Sequence, residues 1–372
     1  MKKIRLLALA LSLFFVIGVF ASCKKDADTP AYDSNTDESI ADDSQVNDDQ
    51  GGNDQGNDDQ VNDDQGGNDQ GNDDQGNDDQ GGGKEDDETP LGNGDSFSLK
   101  ALDATFMSFN IKCDTSPDNR TNEFIKYILN SGASVVCTQE VEKVQFDMMQ
   151  AGLGEKYDTV WYSREGTNKQ GLAISYDKSA WTLIETTRFW LSKTPESQSK
   201  GWGASYYRIC VTALLEHKET GARVNVFNVH LDHQVGAARV NGINLVLERA
   251  ALSDCPVMIC GDFNTKIGTD TYRAVSSVLQ DAQQTATVSD EGRTYHNNFA
   301  LNDYDGTAID FCFFTKDVFE INKFEICRDR RTDNNGALSD HYPIKVTFKY
   351  IYQYEEFYPT ITENGFDGAL DT

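Results

Sequence analysis

Pro256-Val-Met-Ile-Cys-Gly-Asp-Phe-Asn264 joins an apolar run to a polar ending. Residues 256–260 are continuously apolar, which indicates a strand that is buried on both faces. Gly261-Asp-Phe-Asn264 follows at once, so a carboxylate and an amide stand where the strand ends. A second stretch, Ser339-Asp-His-Tyr-Pro343, precedes the last strand-like run of the domain. Polar side chains at strand ends are held on rigid supports, and the two stretches therefore predict a functional site at the edge of a sheet.

Short β-rich runs alternate with helical stretches and polar turns around these two segments. Strands are predicted at 104–110, 134–138, 158–162, 171–176, 182–190, 208–217, 223–228, 256–260, 309–315, 318–327 and 344–349, and helices at 121–130, 142–151 and 237–254. Hairpins mixed with strand–helix–strand units indicate mixed sheets. So many buried strands require two sheets packed face to face with helices outside. The sequence therefore predicts an α/β (α+β) fold, a four-layer sandwich of two packed mixed β-sheets flanked by helices.

The N-terminus has the layout of an export signal. Three basic residues among the first five precede the apolar run Leu6–Phe20, which ends in small residues just before Cys23. That pattern is typical of a secretory signal peptide, here residues 1–22. The cysteine resembles the acylated first residue of a bacterial lipoprotein, with an uncleaved N-terminal membrane anchor as the alternative. In either case we expect an extracytoplasmic chain in the cell envelope, lipid-anchored to the membrane through Cys23.

Residues 23–95 are built from Asp, Asn, Gln and Gly, with almost no apolar side chains. The block Val46–Gln60 recurs as Val61–Gln75, but its short units have too little apolar surface to stack as a solenoid. They also lack the fixed glycine and apolar positions of ordered calcium loops. Because little apolar burial offsets the entropy of ordering, we predict a disordered acidic tether.

The net charge of −28 is concentrated in the tether. Residues 24–95 contribute −21 and the first 23 residues +3, which leaves −10 for the rest of the chain. That remainder is predicted to be one large catalytic domain at 96–350 with a C-terminal tail at 351–372, and the chain is expected to be a monomer. A mildly acidic domain without a basic stripe does not favour tight, salt-dependent binding to a nucleic-acid backbone. A metal site can still hold a single phosphate.

The cysteines give no sign of a metal site. Seven remain after Cys23, and Cys137, Cys260 and Cys312 each lie in an apolar strand-like run. Cysteine in such a run behaves as a small hydrophobic residue. An odd number without metal-ligand spacing argues against a disulfide framework, although one or two bridges stay open as an alternative.

Six predicted strand ends carry acids, amides or histidines. They are Asn110, Glu140, His230 with Asp232, Asp262 with Asn264, Asp310, and Asp340 with His341. A single residue of this kind is usually a turn residue that caps a strand. Six in one domain, which include two of the five histidines, indicate a shared site. Hard oxygen ligands of this type suit Mg²⁺, which also accepts phosphate oxygens from a substrate.

The order of these motifs resembles the endonuclease/exonuclease/phosphatase superfamily, which has a deoxyribonuclease-like fold. The resemblance runs from about Ala104 to Phe348, and residues 261–264 and 339–343 are its most specific stretches. Phe189-Trp-Leu-Ser192 and His230-Leu-Asp-His233 are similar to a branch common among secreted bacterial proteins. The resemblance implies a hydrolase that cleaves phosphate esters with Mg²⁺, or alternatively Mn²⁺.

The resemblance also implies a role for each residue at the metal. Glu140 would be the principal Mg²⁺ ligand, assisted by Asn110 and Asp340, and Asn110 would also contact the substrate phosphate. Asp262 and Asn264 would orient the attacking water and the scissile phosphate.

The implied proton chemistry rests on two histidines. His341, hydrogen-bonded to Asp310, would lie against the phosphate as base or charge stabiliser, and His230 would be the complementary acid. Arg208 resembles a phosphate-contacting arginine, with a surface salt bridge as the alternative. Many relatives have a glutamate that steadies the histidine matching His230, but this chain has Gln170, which we expect to hydrogen-bond His230 instead.

Three functions compete at this point. The first is a metal-dependent phosphodiesterase of the nuclease type that acts outside the cytoplasm. The second is a phosphomonoesterase or a sphingomyelinase-like phospholipase C acting on lipid, inositol or sugar phosphates. The third is a catalytically inactive surface-binding module, which the complete set of polar residues argues against. Fold alone does not choose among substrates.

Overall fold

The structure is a computed structural model that describes residues 97–115, 119–296, 299, 306–355, 361–362 and 365–366. The predicted signal peptide, the predicted lipidation site Cys23, the predicted tether and most of the C-terminal tail lie outside these residues. None of the helices in the described ranges is long and apolar enough to span a membrane.

The first sheet has seven strands in the order β10-β12-β13-β1-β2-β4-β3. Its strands are β1 (Phe97–Asn110), β2 (Val135–Val141), β3 (Tyr157–Ser163), β4 (Gly171–Asp177), β10 (Val288–Ser289), β12 (Phe319–Ile326) and β13 (Ile344–Glu355). β1 runs parallel to β2 and antiparallel to β13, so the sheet is mixed as predicted.

The second sheet has six strands in the order β5-β6-β7-β8-β11-β9. They are β5 (Trp181–Trp190), β6 (Ile209–His217), β7 (Arg223–His230), β8 (Val257–Asp262), β9 (Leu279–Asp281) and β11 (Asp310–Thr315). β7 and β8 are parallel, and the other neighbours are antiparallel. A separate short pair joins β14 (Ile361–Thr362) to β15 (Gly365–Phe366).

Five helices accompany the sheets within the described residues. They are α1 (Asn119–Asn130), α2 (Lys143–Leu153), α3 (Gly236–Ala250), α4 (Asp270–Ser276) and α5 (Ala282–Thr285). Apolar residues of α1 and α2 pack on the first sheet, and those of α3 and α4 pack on the second. The predicted layers, helix, sheet, sheet and helix, are confirmed.

Alternation along each strand divides the apolar residues between the layers. Met258 and Cys260 of β8 join the core between the two sheets, whereas Val257 and Ile259 join the core beneath α3 and α4. This is the two-residue period of an extended strand, with both faces buried. The continuously apolar run at 256–260 is therefore a central strand, as the sequence predicts.

Gly261 closes the spacing between β7 and β8. Its φ is 141°, and a Cβ at this position would lie 1.9 Å from the carbonyl oxygen of Val229. Only glycine accommodates both that backbone angle and so close an approach of the neighbouring strand. Gly261 thereby lets the next residue, Asp262, stand at the end of the strand beside β7.

The structure also departs from the predicted elements in places. β13 continues to Glu355, past the predicted end at residue 349, because β1 starts earlier than predicted and pairs with its full length. β9, β10, α4 and α5 were not predicted, since strands of two or three residues and helices of four to seven residues are too short to show a period. All seven cysteines of the described part are free thiols. The one or two disulfide bridges that the sequence left open are therefore not formed among the described residues.

Candidate active site

The polar residues at the strand ends converge at one end of the two sheets. Asn110 ends β1 and lies beside the parallel strand β2, which carries Glu140 near its end. His230 at the end of β7 is in register with Asp262 at the end of β8, and Asp262 is in register with Asp310 at the start of β11. Parallel neighbours end at the same edge, and an antiparallel neighbour begins there. We call the assembly the polar hub: Asn110, Glu140, His230, Asp262, Asp310 and His341.

Glu140 is set apart by its backbone. The pairing of β2 with β4 shifts register between Thr138 and Val141, and Glu140 within this bulge has a φ of 62°. A non-glycine residue in the left-handed region costs roughly 1–3 kcal/mol and persists only where its surroundings hold it. Bulges of this kind redirect a side chain away from the regular alternation of a strand. Here the side chain concerned is a carboxylate of the hub.

Three donors surround the Glu140 carboxylate. Asn110 Nδ2 donates to Oε1 at 3.2 Å, the backbone N–H of Cys113 donates to Oε2 at 3.2 Å, and Gln170 Nε2 donates to Oε2 at 3.3 Å. The prediction that Gln170 bonds His230 is therefore wrong. The β2 bulge brings Glu140 to the residue that precedes β4, and the amide of Gln170 is used there.

Asp262 is the centre of the hub. Its Oδ2 accepts a hydrogen bond of 2.9 Å from Asn110 Nδ2 and lies 3.5 Å from His230 Nε2 and 3.7 Å from His341 Nε2. The N–H of Lys112 donates to Asn110 Oδ1 at 3.1 Å, which fixes the orientation of that amide. One buried carboxylate oxygen thus faces both histidines.

Asp310 and His341 form a buried pair. His341 Nδ1 lies 2.8 Å from Asp310 Oδ2, as predicted from the sequence. Burial by itself lowers the pKa of His341, but the Asp310 and Asp262 carboxylates outweigh it and raise that pKa to about 10. Burial, and then the charge of Asp310, raise the pKa of Asp262 to about 7. An imidazolium therefore stands beside a carboxyl group that titrates near neutrality.

The pKa of His230 is shifted in the opposite direction to that of His341. Burial, followed by the charges of Arg208 and Arg164, holds the pKa of His230 well below its usual range. Its ring is therefore neutral near pH 7, whereas the acid role implied by the resemblance requires a proton. A substrate anion beside His230 favours the protonated ring, since a nearby negative charge stabilises the imidazolium.

The sequence profile of the Endonuclease/Exonuclease/phosphatase family matches residues 107–341, a span that includes the whole polar hub. The chain belongs to this family. Members of the endonuclease/exonuclease/phosphatase family hydrolyse phosphate esters, and this is the class of reaction that the match supports. The match also accounts for the two packed mixed sheets.

Two solved structures are similar to about two thirds of this chain. A family protein from Bacteroides thetaiotaomicron is 27% identical with a TM-score of 0.63, covering 68% of this chain and 99% of that one. A mannosyl-6-phosphatase from the same organism is 28% identical with a TM-score of 0.61, covering 66% of this chain and 99% of that one.

The chain is also similar in sequence to an uncharacterised protein of Acanthamoeba polyphaga mimivirus. The two are 25% identical over 250 residues, which cover 62% of this chain and 92% of that protein.

Lys112 is a site residue that sequence reasoning missed. Its φ is 57°, and its ammonium lies 3.1 Å from Asp340 Oδ2. Burial would lower the pKa of Lys112, but the charges of Asp340 and Glu140 raise it. Burial would raise the pKa of Glu140, but the charge of Lys112 and the N–H donors of Cys113 and Asn110 outweigh it and lower that pKa. A cation therefore already lies next to the two carboxylates that the family resemblance assigns to a metal.

Asn264 is held by its own backbone and by a neighbouring strand end. Its φ is 48°, its N–H donates to Asp262 Oδ1 at 2.9 Å, and its Nδ2 donates to the carbonyl of Leu231 at 3.1 Å. The amide nitrogen is thus used within the protein. The family role of orienting water or phosphate rests on the remaining amide oxygen.

Arg208 is buried beside the hub and does not form the surface salt bridge considered as an alternative. Only 5% of it is exposed. Its Nη2 lies 3.1 Å from His233 Nδ1, and its Nε lies 3.9 Å from Asp232 Oδ2. Together with His230 it lines a narrow cleft next to the hub.

His296 is a second residue that sequence reasoning missed. It is 1% exposed, its ring centre lies 4.4 Å from that of Tyr342 with the two rings tilted by 41°, and its Nδ1 has no hydrogen-bond partner among the described residues. The neighbouring residue Tyr295 forms a β-bridge with His341. His296 stands alone in a polar stretch of the sequence, and nothing local signals its position.

The hub has the charge and chemistry to hold a divalent metal. Asp262, Asp310 and His341 offer ligand atoms within 4.8 Å of one another, a spacing compatible with one ion. The Asp310–His341 hydrogen bond uses one atom of each, however. Glu140 and Asp340 share Lys112 as their neighbouring cation and supply carboxylate oxygens of the kind that Mg²⁺ prefers. The residues present therefore fit a metal.

Proposed function

We propose that the chain is a divalent-metal-dependent phosphoesterase that acts on small phosphate esters. The observation that carries this proposal is the arrangement of Asp262 with Asn110, His230 and His341 around one buried carboxylate oxygen. Such a group orients a water for attack and stabilises charge on a phosphate in a site where water is largely excluded. Membership of the family supports the same class of reaction.

The metal is placed on Glu140, assisted by Asn110 and Asp340. When bound there, Mg²⁺ or Mn²⁺ supplies polarisation of a phosphoryl oxygen and neutralises charge that develops on it. The excess of carboxylates at this corner, balanced in part by Lys112, is what supports the placement.

The side chains of the hub and of Asn264 are assigned proton transfer, charge stabilisation and orientation of the water or phosphate. Asp262, whose pKa is about 7, is suited to accept a proton from the attacking water. His341, protonated and fixed by Asp310, is suited to stabilise the negative charge of the phosphate. Asn264 is assigned the orientation of water or phosphate through its amide oxygen. His230 lies on the other side of Asp262 and faces the leaving oxygen in this assignment.

The substrate class is inferred from charge and from the similarity to the mannosyl-6-phosphatase. Residues 96–372 carry a net charge of −10 and no basic stripe, which opposes binding along a nucleic-acid backbone. The similarity to the structure named as a mannosyl-6-phosphatase extends over 99% of that protein's chain. Phosphomonoesters of sugars or polyols are therefore proposed first, and the nuclease activity and the phospholipid activity second.

One screen tests the reaction, the metal and the substrate class together. We expect Mg²⁺- or Mn²⁺-dependent release of phosphate from mannose 6-phosphate or an inositol phosphate, and loss of this activity in EDTA that added Mg²⁺ restores. Plasmid DNA, RNA and sphingomyelin complete the panel. Cleavage of nucleic acid or sphingomyelin alone would replace the substrate class, and undiminished turnover in EDTA would remove the metal from the proposal.

We further propose that Cys23 is acylated and holds the enzyme on the outer side of a membrane. The apolar run that ends just before Cys23 supports this. Expression of the full chain in a bacterium is expected to incorporate a labelled fatty acid and to place the protein in the membrane fraction. Cys23→Ser should lose the label and Cys23→Ala likewise. Equal labelling of the wild type and both variants would contradict the assignment.

A further inference from the structure

A narrow cleft opens beside His230, where the two sheets approach each other. Arg164 and Gln170 reach it from the connection between β3 and β4, and Tyr207 and Arg208 reach it from the segment that leads into β6. We call it the arginine cleft. Because Gln170 also donates to Glu140, the cleft is continuous with the polar hub.

The two arginines lack a carboxylate partner at hydrogen-bonding distance. Arg208 is buried, and its Nε lies 3.9 Å from Asp232 Oδ2. The Nε has no hydrogen-bond partner among the described residues. Its Nη2 meets the ring of His233, whose pKa burial and Arg208 itself hold below the usual range, so that ring is neutral. In the described part of the chain, no carboxylate lies within ion-pair distance of Arg164. Arg208 thus has a buried N–H group without an acceptor, which a ligand can supply, and the half-buried Arg164 adds a second positive charge beside it.

Asp232 forms only a long ion pair with Arg208, at 3.9 Å, because backbone N–H groups occupy its two carboxylate oxygens. Its Oδ1 accepts hydrogen bonds from the N–H groups of Gln234 at 3.0 Å and Val235 at 2.9 Å. Its Oδ2 accepts from the N–H groups of Ser205 at 3.0 Å and Tyr206 at 3.3 Å. Burial raises the pKa of Asp232, but the N–H groups of Val235 and Gln234 and the charge of Arg208 outweigh it and lower that pKa. The four hydrogen bonds also fix the segment before Arg208. Asp232 therefore shapes the wall of the cleft.

An aromatic ring positions both guanidinium groups without neutralising them. Arg164 Cζ lies 5.2 Å from the centre of the Tyr206 ring, and Arg208 Cζ lies 5.7 Å from it. Cation–π contacts at this range orient a guanidinium and leave its charge in place. The two like charges repel each other: burial first, and then Arg164, lower the pKa of Arg208 to about 10. The pair is thus built as a site for an anion.

We infer that the arginine cleft binds a second anionic group of the substrate, so that preferred substrates are small molecules carrying two phosphate groups. This inference rests on the proposed function, in which the scissile phosphate lies at the hub on the far side of His230. Since His230 faces the leaving oxygen, the cleft receives the part of the molecule that leaves. Planar guanidinium groups bind phosphate oxygens in pairs, which suits a second phosphate better than a neutral hydroxyl.

The test compares one phosphate with two in the same sugar. Initial rates with Mg²⁺ are measured on glucose 6-phosphate and glucose 1,6-bisphosphate for the wild type, Arg164→Gln and Lys169→Gln. Lys169 is the matched control because it lies in the same loop, carries the same charge and is exposed. We expect the wild type to favour the bisphosphate. Arg164→Gln should lower kcat/KM for the bisphosphate about 10- to 100-fold, as for loss of a charged hydrogen-bond partner. It should leave the monophosphate within about threefold, and Lys169→Gln should change neither.

An equal fall on both sugars in Arg164→Gln would mean that the cleft holds the scissile phosphate, and the inference would be withdrawn. Unchanged kinetics on both would overturn it as well. If the wild type hydrolyses no phosphate ester, the proposed function fails, and binding decides the cleft separately. Calorimetric titration of glucose 1,6-bisphosphate in EDTA should then show binding that Arg164→Gln weakens and Lys169→Gln does not. Equal affinities in the three proteins would exclude the cleft as an anion site.

Discussion

Replacing Glu140 with glutamine is expected to lower kcat/KM on any phosphate ester by about 10²–10³-fold, the usual effect of losing one preorganised electrostatic contact at a reacting phosphate. The variant removes the charge of the proposed metal ligand and keeps its length. It also leaves Lys112 beside Asp340 with one carboxylate fewer. The concentration of Mg²⁺ needed for half-maximal activity should rise at the same time, because the remaining oxygens attract the ion less strongly.

Glu142→Gln is the matched control for this variant. It removes the same charge two residues further along the chain, where the side chain lies outside the hub. Circular dichroism and the melting temperature separate a folding defect from a loss of function, since Glu140 accepts hydrogen bonds from Asn110, Cys113 and Gln170. Turnover within a few-fold of wild type at ordinary Mg²⁺ concentration would remove Glu140 from the metal site.

The regular part of the fold follows from local pattern. Strands such as β8, with an unbroken apolar run, are buried on both faces and need no knowledge of their neighbours to be recognised. The early start of β1 is different, because its first residues gain their order from pairing with β13 at the far end of the chain. β9 pairs with β11, and β10 pairs with β12. These short strands therefore depend on their partners and have no recognisable pattern of their own in the sequence.

The hub residues could be predicted because each lies at or close to an end of an apolar strand. Asp310 begins β11 and His341 precedes β13, whereas the other hub residues lie where strands end. Lys112 could not, since its place depends on a left-handed backbone angle and on contact with Asp340, more than two hundred residues away. Gln170 was assigned to the wrong partner because the β2 bulge, which turns Glu140 toward it, has no signature in the sequence. Sequence order identifies which residues reach the site, whereas bulges and strand register decide which of them touch.

The second large effect is expected from Asp310→Asn, which removes the anion that holds His341 protonated. The two side chains meet at 2.8 Å in a buried place, and the carboxylates of Asp310 and Asp262 raise the pKa of His341 to about 10. This pKa lies above that of an unfolded histidine, so the protonated ring contributes stability below about pH 6.5 and loses it as pH rises toward 10. Without Asp310 the folded pKa falls and the window closes at a lower pH.

Both limbs of the pH profile should move in the same direction. A lower pKa of His341 shifts the alkaline limb of kcat/KM to lower pH, because the phosphate loses its imidazolium earlier. Asp262, whose pKa of about 7 is raised by burial and by Asp310, should ionise at lower pH and shift the acidic limb downward too. At alkaline pH we expect a loss of about 10²-fold, the scale of a misplaced proton-transfer group.

The profile is measured on one phosphate ester from about pH 5 to about pH 10. This range includes the ordinary pKa of histidine, the pKa of about 7 of Asp262 and that of about 10 of His341. Nitrogen NMR of the His341 ring reports its titration without reference to catalysis. Asp281→Asn is the control, since Asp281 is also buried and accepts a hydrogen bond from Tyr272 at 2.8 Å, but lies outside the hub on β9. Superimposable profiles for the wild type and Asp310→Asn, with an unchanged His341 titration, would show that Asp310 does not control this histidine. A downward shift in Asp310→Asn alone would tie the chemistry to the pair, because the control loses a buried carboxylate of the same kind.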